Sequence, residues 1–168
     1  MHPMRFFVRS ALILTLFRFP LWQSGSLCAM IKKIVQKRGD RMTTKEEAFA
    51  RLKRSRFRSR FHLSEQDLAY IDAKGLDTIR SHCTDFIQKR LAPAVIPNDG
   101  KQTPMRGHPV FVAQHACACC CRDCLNKWYR VRKNRPLTQQ EQKQIVDFLM
   151  VWIEREYREG RNRQPESF

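Results

Sequence analysis

Thr138-Gln139-Gln140-Glu141 opens the stretch that decides the fold, and it runs on through Gln142-Lys143-Gln144-Ile145-Val146-Asp147-Phe148-Leu149-Met150-Val151-Trp152-Ile153. Thr138 with Glu141 three residues on is a capping box, in which each side chain takes up a backbone N–H that the first helical turn leaves open. Ile145, Phe148, Leu149, Trp152 and Ile153 then recur at helical spacing until Gly160, which predicts an amphipathic helix over 138–158. Upstream, Leu76, Ile79, Cys83, Phe86 and Ile87 form one stripe of a second helix, stopped by Pro93. These two helices are expected to make the core. Ser64 caps a shorter helix that ends at Gly75, and Glu46–Lys53 makes a fourth. His108–Trp128 is apolar and rich in Ala and Cys, with Pro109 placed for the first turn of a helix. No alternating strand pattern of useful length interrupts these segments. The fold class is therefore all-α: a compact single-domain bundle of five or six helices over residues 42–160, with 161–168 as a disordered tail.

Composition agrees with one domain. The chain has 168 residues, 42% of them hydrophobic, including 11 Phe. That is too much apolar material for a disordered chain and too little length for two comfortable domains. Six Gly and eight Pro exclude a collagen-like chain. No run of roughly 20 apolar residues exists, so no stable membrane span is expected. The 32 Lys+Arg against 16 Asp+Glu give a net charge of +16, which favours a polyanionic partner such as nucleic acid, a nucleotide phosphate or an acidic lipid surface.

Part of that charge looks detached. Residues 1–41 hold eight Lys/Arg and the single acid Asp40. Their apolar run, Ala11–Phe17, is broken by Arg18 and Pro20 and makes a poor secretory signal. The segment reads as a basic extension, disordered or lying upstream of a natural start at Met42; the alternative is a weak membrane-directed leader.

One long polar loop looks functional. Pro97-Asn98-Asp99-Gly100-Lys101-Gln102-Thr103-Pro104-Met105-Arg106-Gly107 contains a turn signal, two cations and the approach to a helix start at His108-Pro109. Lys101 and Arg106 beside exposed N–H groups would suit an anion; the alternative is a structural turn. It is not a Walker loop, since the upstream glycine is missing. Lys89, Arg90, Arg56 and Arg58 extend the candidate anion-binding set. Arg51, Lys53, Arg54 and Arg60 widen the same footprint, with Phe57 interleaved. In the plainer reading Phe57 and Phe61 simply dock into the core.

Five of the seven Cys fall within His115-Ala116-Cys117-Ala118-Cys119-Cys120-Cys121-Arg122-Asp123-Cys124. Two C-x-x-C spacings nest there, but eight consecutive residues cannot easily surround one tetrahedral ion. The candidate zinc ligands are Cys120, Cys121 and Cys124 with His115 and His108. Three readings compete: buried thiols that merely pack, disulfides, disfavoured by the odd count, and redox chemistry at Cys121-x-x-Cys124 with Arg122 nearby. A reducing cytoplasm is the expected compartment.

The chain resembles a bacterial family known as domain of unknown function 4186, over about Phe49 to Trp152. The resemblance lies in Phe57-Arg58-Ser59-Arg60-Phe61, in Phe86-Ile87-Gln88-Lys89-Arg90-Leu91-Ala92-Pro93, and in Asn98 through Phe111. It continues from Ala113-Gln114-His115 through Cys120-Cys121-Arg122 and Cys124-Leu125 to Lys127-Trp128. The resemblance implies no reaction. It does imply that Thr stands more often where this chain has Cys117 and Cys119, and His where it has Tyr129. A metal site common to that family would then lack one ligand here.

Three functions follow from the residues: a polyanion-binding helical module, a small metal-dependent enzyme on the 98–124 region, or a structural and partner-binding protein without chemistry. The enzyme reading would draw on His82, Asp99, His108 and His115 as acid/base or ligand candidates.

Overall fold

A computed structural model describes residues 44–163. The expected extension over 1–41, the start at Met42 and residues 164–168 lie outside the described residues. The described residues form six α-helices and no strand: α1 (Thr44–Lys53), α2 (Glu65–Lys74), α3 (Leu76–Arg90), α4 (Pro109–Ala116), α5 (Arg122–Tyr129) and α6 (Gln139–Arg163). A short 3-10 turn, Arg58–Arg60, joins α1 to the rest.

Local chemistry sets the helix starts. Ser64 N–H donates to Asp67 Oδ2 at 3.0 Å and Asp67 N–H donates back to Ser64 Oγ at 3.2 Å, a closed capping box at α2. Thr138 and Glu141 make the equivalent pair at α6, at 2.9 and 3.2 Å. Gly75, at φ +78°, ends α2 and begins α3 in a conformation that side chains with a Cβ resist.

The core lies where α3, α4 and α6 meet. Ile79, Cys83 and Ile87 of α3 are fully buried, as are Leu149 and Ile153 of α6 and Val110 and Ala113 of α4. Phe86, Phe148 and Trp152 flank this core half-buried. α4 is the innermost helix, with seven of its eight residues buried, so it reads as apolar all round.

Two expected boundaries move. Gly160 does not stop α6, which continues to Arg163; a Cβ there would sit 2.7 Å from Leu68 Cδ1, so glycine serves a close helix approach. The 108–128 region is two helices, α4 and α5, separated by residues 117–121. Ala118 takes the left-handed conformation at φ +54°, and Cys119 N–H turns back to Gln114 O at 2.8 Å. Gln114, buried in the core, donates from Nε2 to Cys119 O at 3.1 Å and fixes that corner.

Arg122 ties the corner to the bundle. Its buried guanidinium donates to Leu91 O at 3.3 Å, Arg132 O at 2.8 Å and Arg135 O at 2.7 Å. Arg135 in turn grips the buried Glu141 carboxylate with both Nη atoms, at 2.8 and 2.5 Å.

Candidate metal centre

The corner between α4 and α5 sorts the cysteines. Cys117 and Cys119 turn into the core with essentially no exposure, and burial pushes both thiols well above their ordinary pKa. Cys119 Sγ donates to Cys117 O at 3.3 Å. Cys83 lies in the same interior, and burial pushes its thiol up to about 12. Thiols in this state are small hydrophobes with little thiolate to offer.

Cys120, Cys121 and Cys124 gather on the other side. Cys121 is extended at φ −160° and caps α5, its Sγ accepting from Cys124 N–H at 3.4 Å. Cys120 Sγ lies 3.5 Å from Cys124 Sγ, and the three Sγ atoms all fall within 4.8 Å of one another. Among the described residues this is the one group of three such side chains whose ligand atoms come together. Cys120 and Cys121 are buried and Cys124 is half-exposed.

The cation that attends this trio is Arg58. Its Nη2 donates to Cys124 Sγ at 3.1 Å and its Nη1 to His115 O at 2.6 Å, with Cys120 Sγ at 3.7 Å. The sulfurs hold one another mainly as thiols: the Cys120 pKa is raised, first by its hydrogen bond to Cys121, against opposing contacts with Cys124 and Arg58. Arg122, the cation next to them in sequence, points to backbone carbonyls instead.

The loop before α4 packs against the trio from a second side. Thr103, buried, donates to Cys120 O at 2.8 Å. Its own carbonyl pairs with His115 Nε2 at 3.2 Å, while the His115 ring stacks on Phe61 at 5.4 Å. His115 thus borders the trio through its backbone and is not one of the gathered ligand atoms. Asp99 Oδ1 accepts from Arg122 N–H at 3.1 Å and from Gln102 Nε2 at 3.2 Å, which makes the loop a cap on α5.

His108 lies at the other end of α4, away from the sulfurs. Val110 N–H donates to its Nδ1 at 3.1 Å, so a neutral ring carries its proton on Nε2 and donates to His82 Nδ1 at 3.1 Å. Both nitrogens are engaged, and neither is open to a metal. Burial, then the neighbouring His82, pulls its pKa down to about 4. Tyr70, Phe86 and Phe111 surround the pair with aromatic rings. Tyr129 sends its hydroxyl to Cys117 O at 2.6 Å, with its pKa raised by burial.

The residues of the sequence-selected anion set differ in their surroundings. Lys101 and Arg106 are exposed on the loop. Lys89 pairs with Asp85 at 2.6 Å, and Arg90 lies over the Phe86 and Phe111 rings at 5.2 and 5.3 Å. Arg56 is exposed, whereas Arg58 is buried against the thiols and is removed from any phosphate-facing surface. The start of α4 supplies no open donor: Pro109 has no N–H, Val110 donates to His108 Nδ1, and Phe111 and Val112 donate to His108 O. The expected helix-terminus anion site therefore lacks its backbone donors.

Sequence reasoning missed Arg58 as the partner of the thiols and Thr103 as their support. One of six cations in ten residues carries no mark that it turns inward, so only the fold identifies it.

Among the described residues, no helix is long and apolar enough to cross a membrane. Residues 46–154 match the family described as Domain of unknown function (DUF4186). No solved structure matches the chain. The chain belongs to the DUF4186 family.

Proposed function

We propose that the protein is a metal-binding helical module in which Cys120, Cys121 and Cys124 hold one soft divalent ion, zinc by the chemistry of the donors. The observation that carries this reading is the convergence of three Sγ atoms within 4.8 Å. Sulfurs at about 2.3 Å around a tetrahedral ion lie about 3.8 Å apart, a spacing within that span. An all-sulfur donor set selects zinc or another thiophilic ion over magnesium or calcium.

Charge supports the same reading. Three thiolates around a divalent ion leave one net negative charge, and burying it alone would be costly. The Arg58 guanidinium, at 3.1 Å from Cys124 Sγ, neutralises it and fixes the sulfur orientation from outside the ligand shell. When bound, the ion would tie Cys120 and Cys121 of the corner to Cys124 in the first turn of α5. The chain's own residues do the positioning: Ala118 reverses the backbone, Thr103 holds Cys120, and Asp99 caps the helix carrying Cys124.

The test is metal analysis of protein equilibrated with zinc and freed of excess. One zinc per chain is expected, lost in Cys120→Ser, Cys121→Ser and Cys124→Ser and kept in Cys117→Ser and Cys119→Ser. Protein that retains no zinc, or that retains it in all three of the first variants, contradicts the reading.

A further inference from the structure

We infer that Arg56, Phe57 and Arg60, with Arg51, Lys53 and Arg54 beside them, form a docking ridge for single-stranded nucleic acid. This goes beyond the metal reading and does not rest on it. The ridge is the end of α1 and the 3-10 turn. No acid occurs between Glu47 and Glu65, and all five cations of the ridge are exposed. None of the five has a carboxylate partner among the described residues, whereas Arg80, Arg135 and Arg155 elsewhere are matched by Asp147, Glu141 and Glu46. Uncompensated positive charge of this density is complementary to a phosphate backbone.

Phe57 distinguishes a single strand from a duplex. Its neighbour Phe61 packs inward, stacked on His115 at 5.4 Å. Phe57 stays 40% exposed, one of three large apolar side chains so placed among the described residues. Its ring carries the Arg60 guanidinium at 4.4 Å and the Arg58 guanidinium at 4.8 Å. Arg58 does double duty, since its inward hydrogen bond to His115 O at 2.6 Å anchors the turn that presents the ring. A fixed aromatic and guanidinium surface among cations without carboxylate partners, Arg51 lying over the Trp128 ring at 5.7 Å, suits unpaired bases, which can stack while their phosphates are neutralised. A duplex keeps its bases stacked internally and would engage the cations alone. An acidic membrane surface would call for a broad apolar face, and one ring does not make one.

The experiment is fluorescence anisotropy of the full chain with labelled single-stranded oligo-dT and oligo-U of about 20 nucleotides, a duplex of equal length, and anionic vesicles. The expected result is preference for the single strands, weakened roughly five-fold or more in Phe57→Ala with duplex affinity unchanged. Arg56→Gln with Arg60→Gln should weaken both and flatten the single-strand salt dependence by about 0.7 of a log–log unit per lost contact. The oligo-dT and oligo-U arms separate DNA from RNA. Unmoved melting temperatures in these surface variants establish that folding is intact. No single-strand binding by the parent, equal affinity in Phe57→Ala, or a preference for duplex or vesicles overturns the inference.

Discussion

The cysteines on either side of the Cys119–Cys120 peptide meet opposite fates. Cys117 and Cys119 are sealed in the core beside Cys83, while Cys120, Cys121 and Cys124 meet at the start of α5 under the Arg58 guanidinium. The left-handed Ala118 lies within the buried pair, and after the corner it opens the extended Cys121 carries the chain to the second group. The difference teaches that density of cysteine in a sequence says little about its use; the direction of the chain between the residues decides it.

The hardest blow to this division is loss of the corner that creates it. Arg122→Ala strands three carbonyls that now accept from a buried cation, and it should cost about 3–5 kcal/mol in chemical denaturation. Arg122→Lys, a single point donor, should recover only part of that loss. A change under about 0.5 kcal/mol would show that the corner holds without its staple.

His108 probes the far end of α4, where histidine caps a helix and binds no ion. Its folded pKa of about 4 lies below the ordinary 6.5, so between those values the unfolded chain takes a proton that the folded chain refuses. Its contribution is whole above 6.5 and is lost as pH falls toward 4, on the order of 3 kcal/mol. His82, Asp67 and Tyr70 face the ring; His82 acts in the same direction as burial, and Asp67 opposes it. His108→Asn keeps a capping side chain and should flatten the stability profile over that window; an unchanged profile would assign the acid sensitivity elsewhere.

The two thiol groups can then be set against each other directly. Cys117→Ser buries a hydroxyl in the core and should cost about 1–2 kcal/mol with zinc content unchanged. Cys124→Ser, at a half-exposed position, should cost the metal-free protein less than about 1 kcal/mol while abolishing zinc retention. Paired denaturation and metal analysis of both variants check the division, and a shared response in the two would erase it.

Much of the fold was legible because its signals are local. Thr138 with Glu141 announces a helix start within four residues, Ser64 marks another by its residue type, and the Ile79, Cys83, Ile87 stripe needs only helical period to be read. The break at Ala118 was not legible, since alanine is a strong helix former and is held left-handed there by Gln114 and the packed core. The trio Cys120, Cys121 and Cys124 was among the sequence candidates, but their convergence depends on that break. His108 was joined to them by residue type alone, and its pairing with His82 across 26 residues is a product of the α3–α4 packing. Gly160 looked like a stop because its close contact with Leu68 is tertiary and leaves no trace in the local sequence.

The most direct test of the central claim is X-ray absorption at the zinc edge on the purified, zinc-loaded chain. The expected result is a shell of three sulfurs at about 2.3 Å in the parent and no bound zinc in Cys124→Ser. A shell of nitrogen and oxygen alone, or three sulfurs that persist in Cys124→Ser, would contradict it.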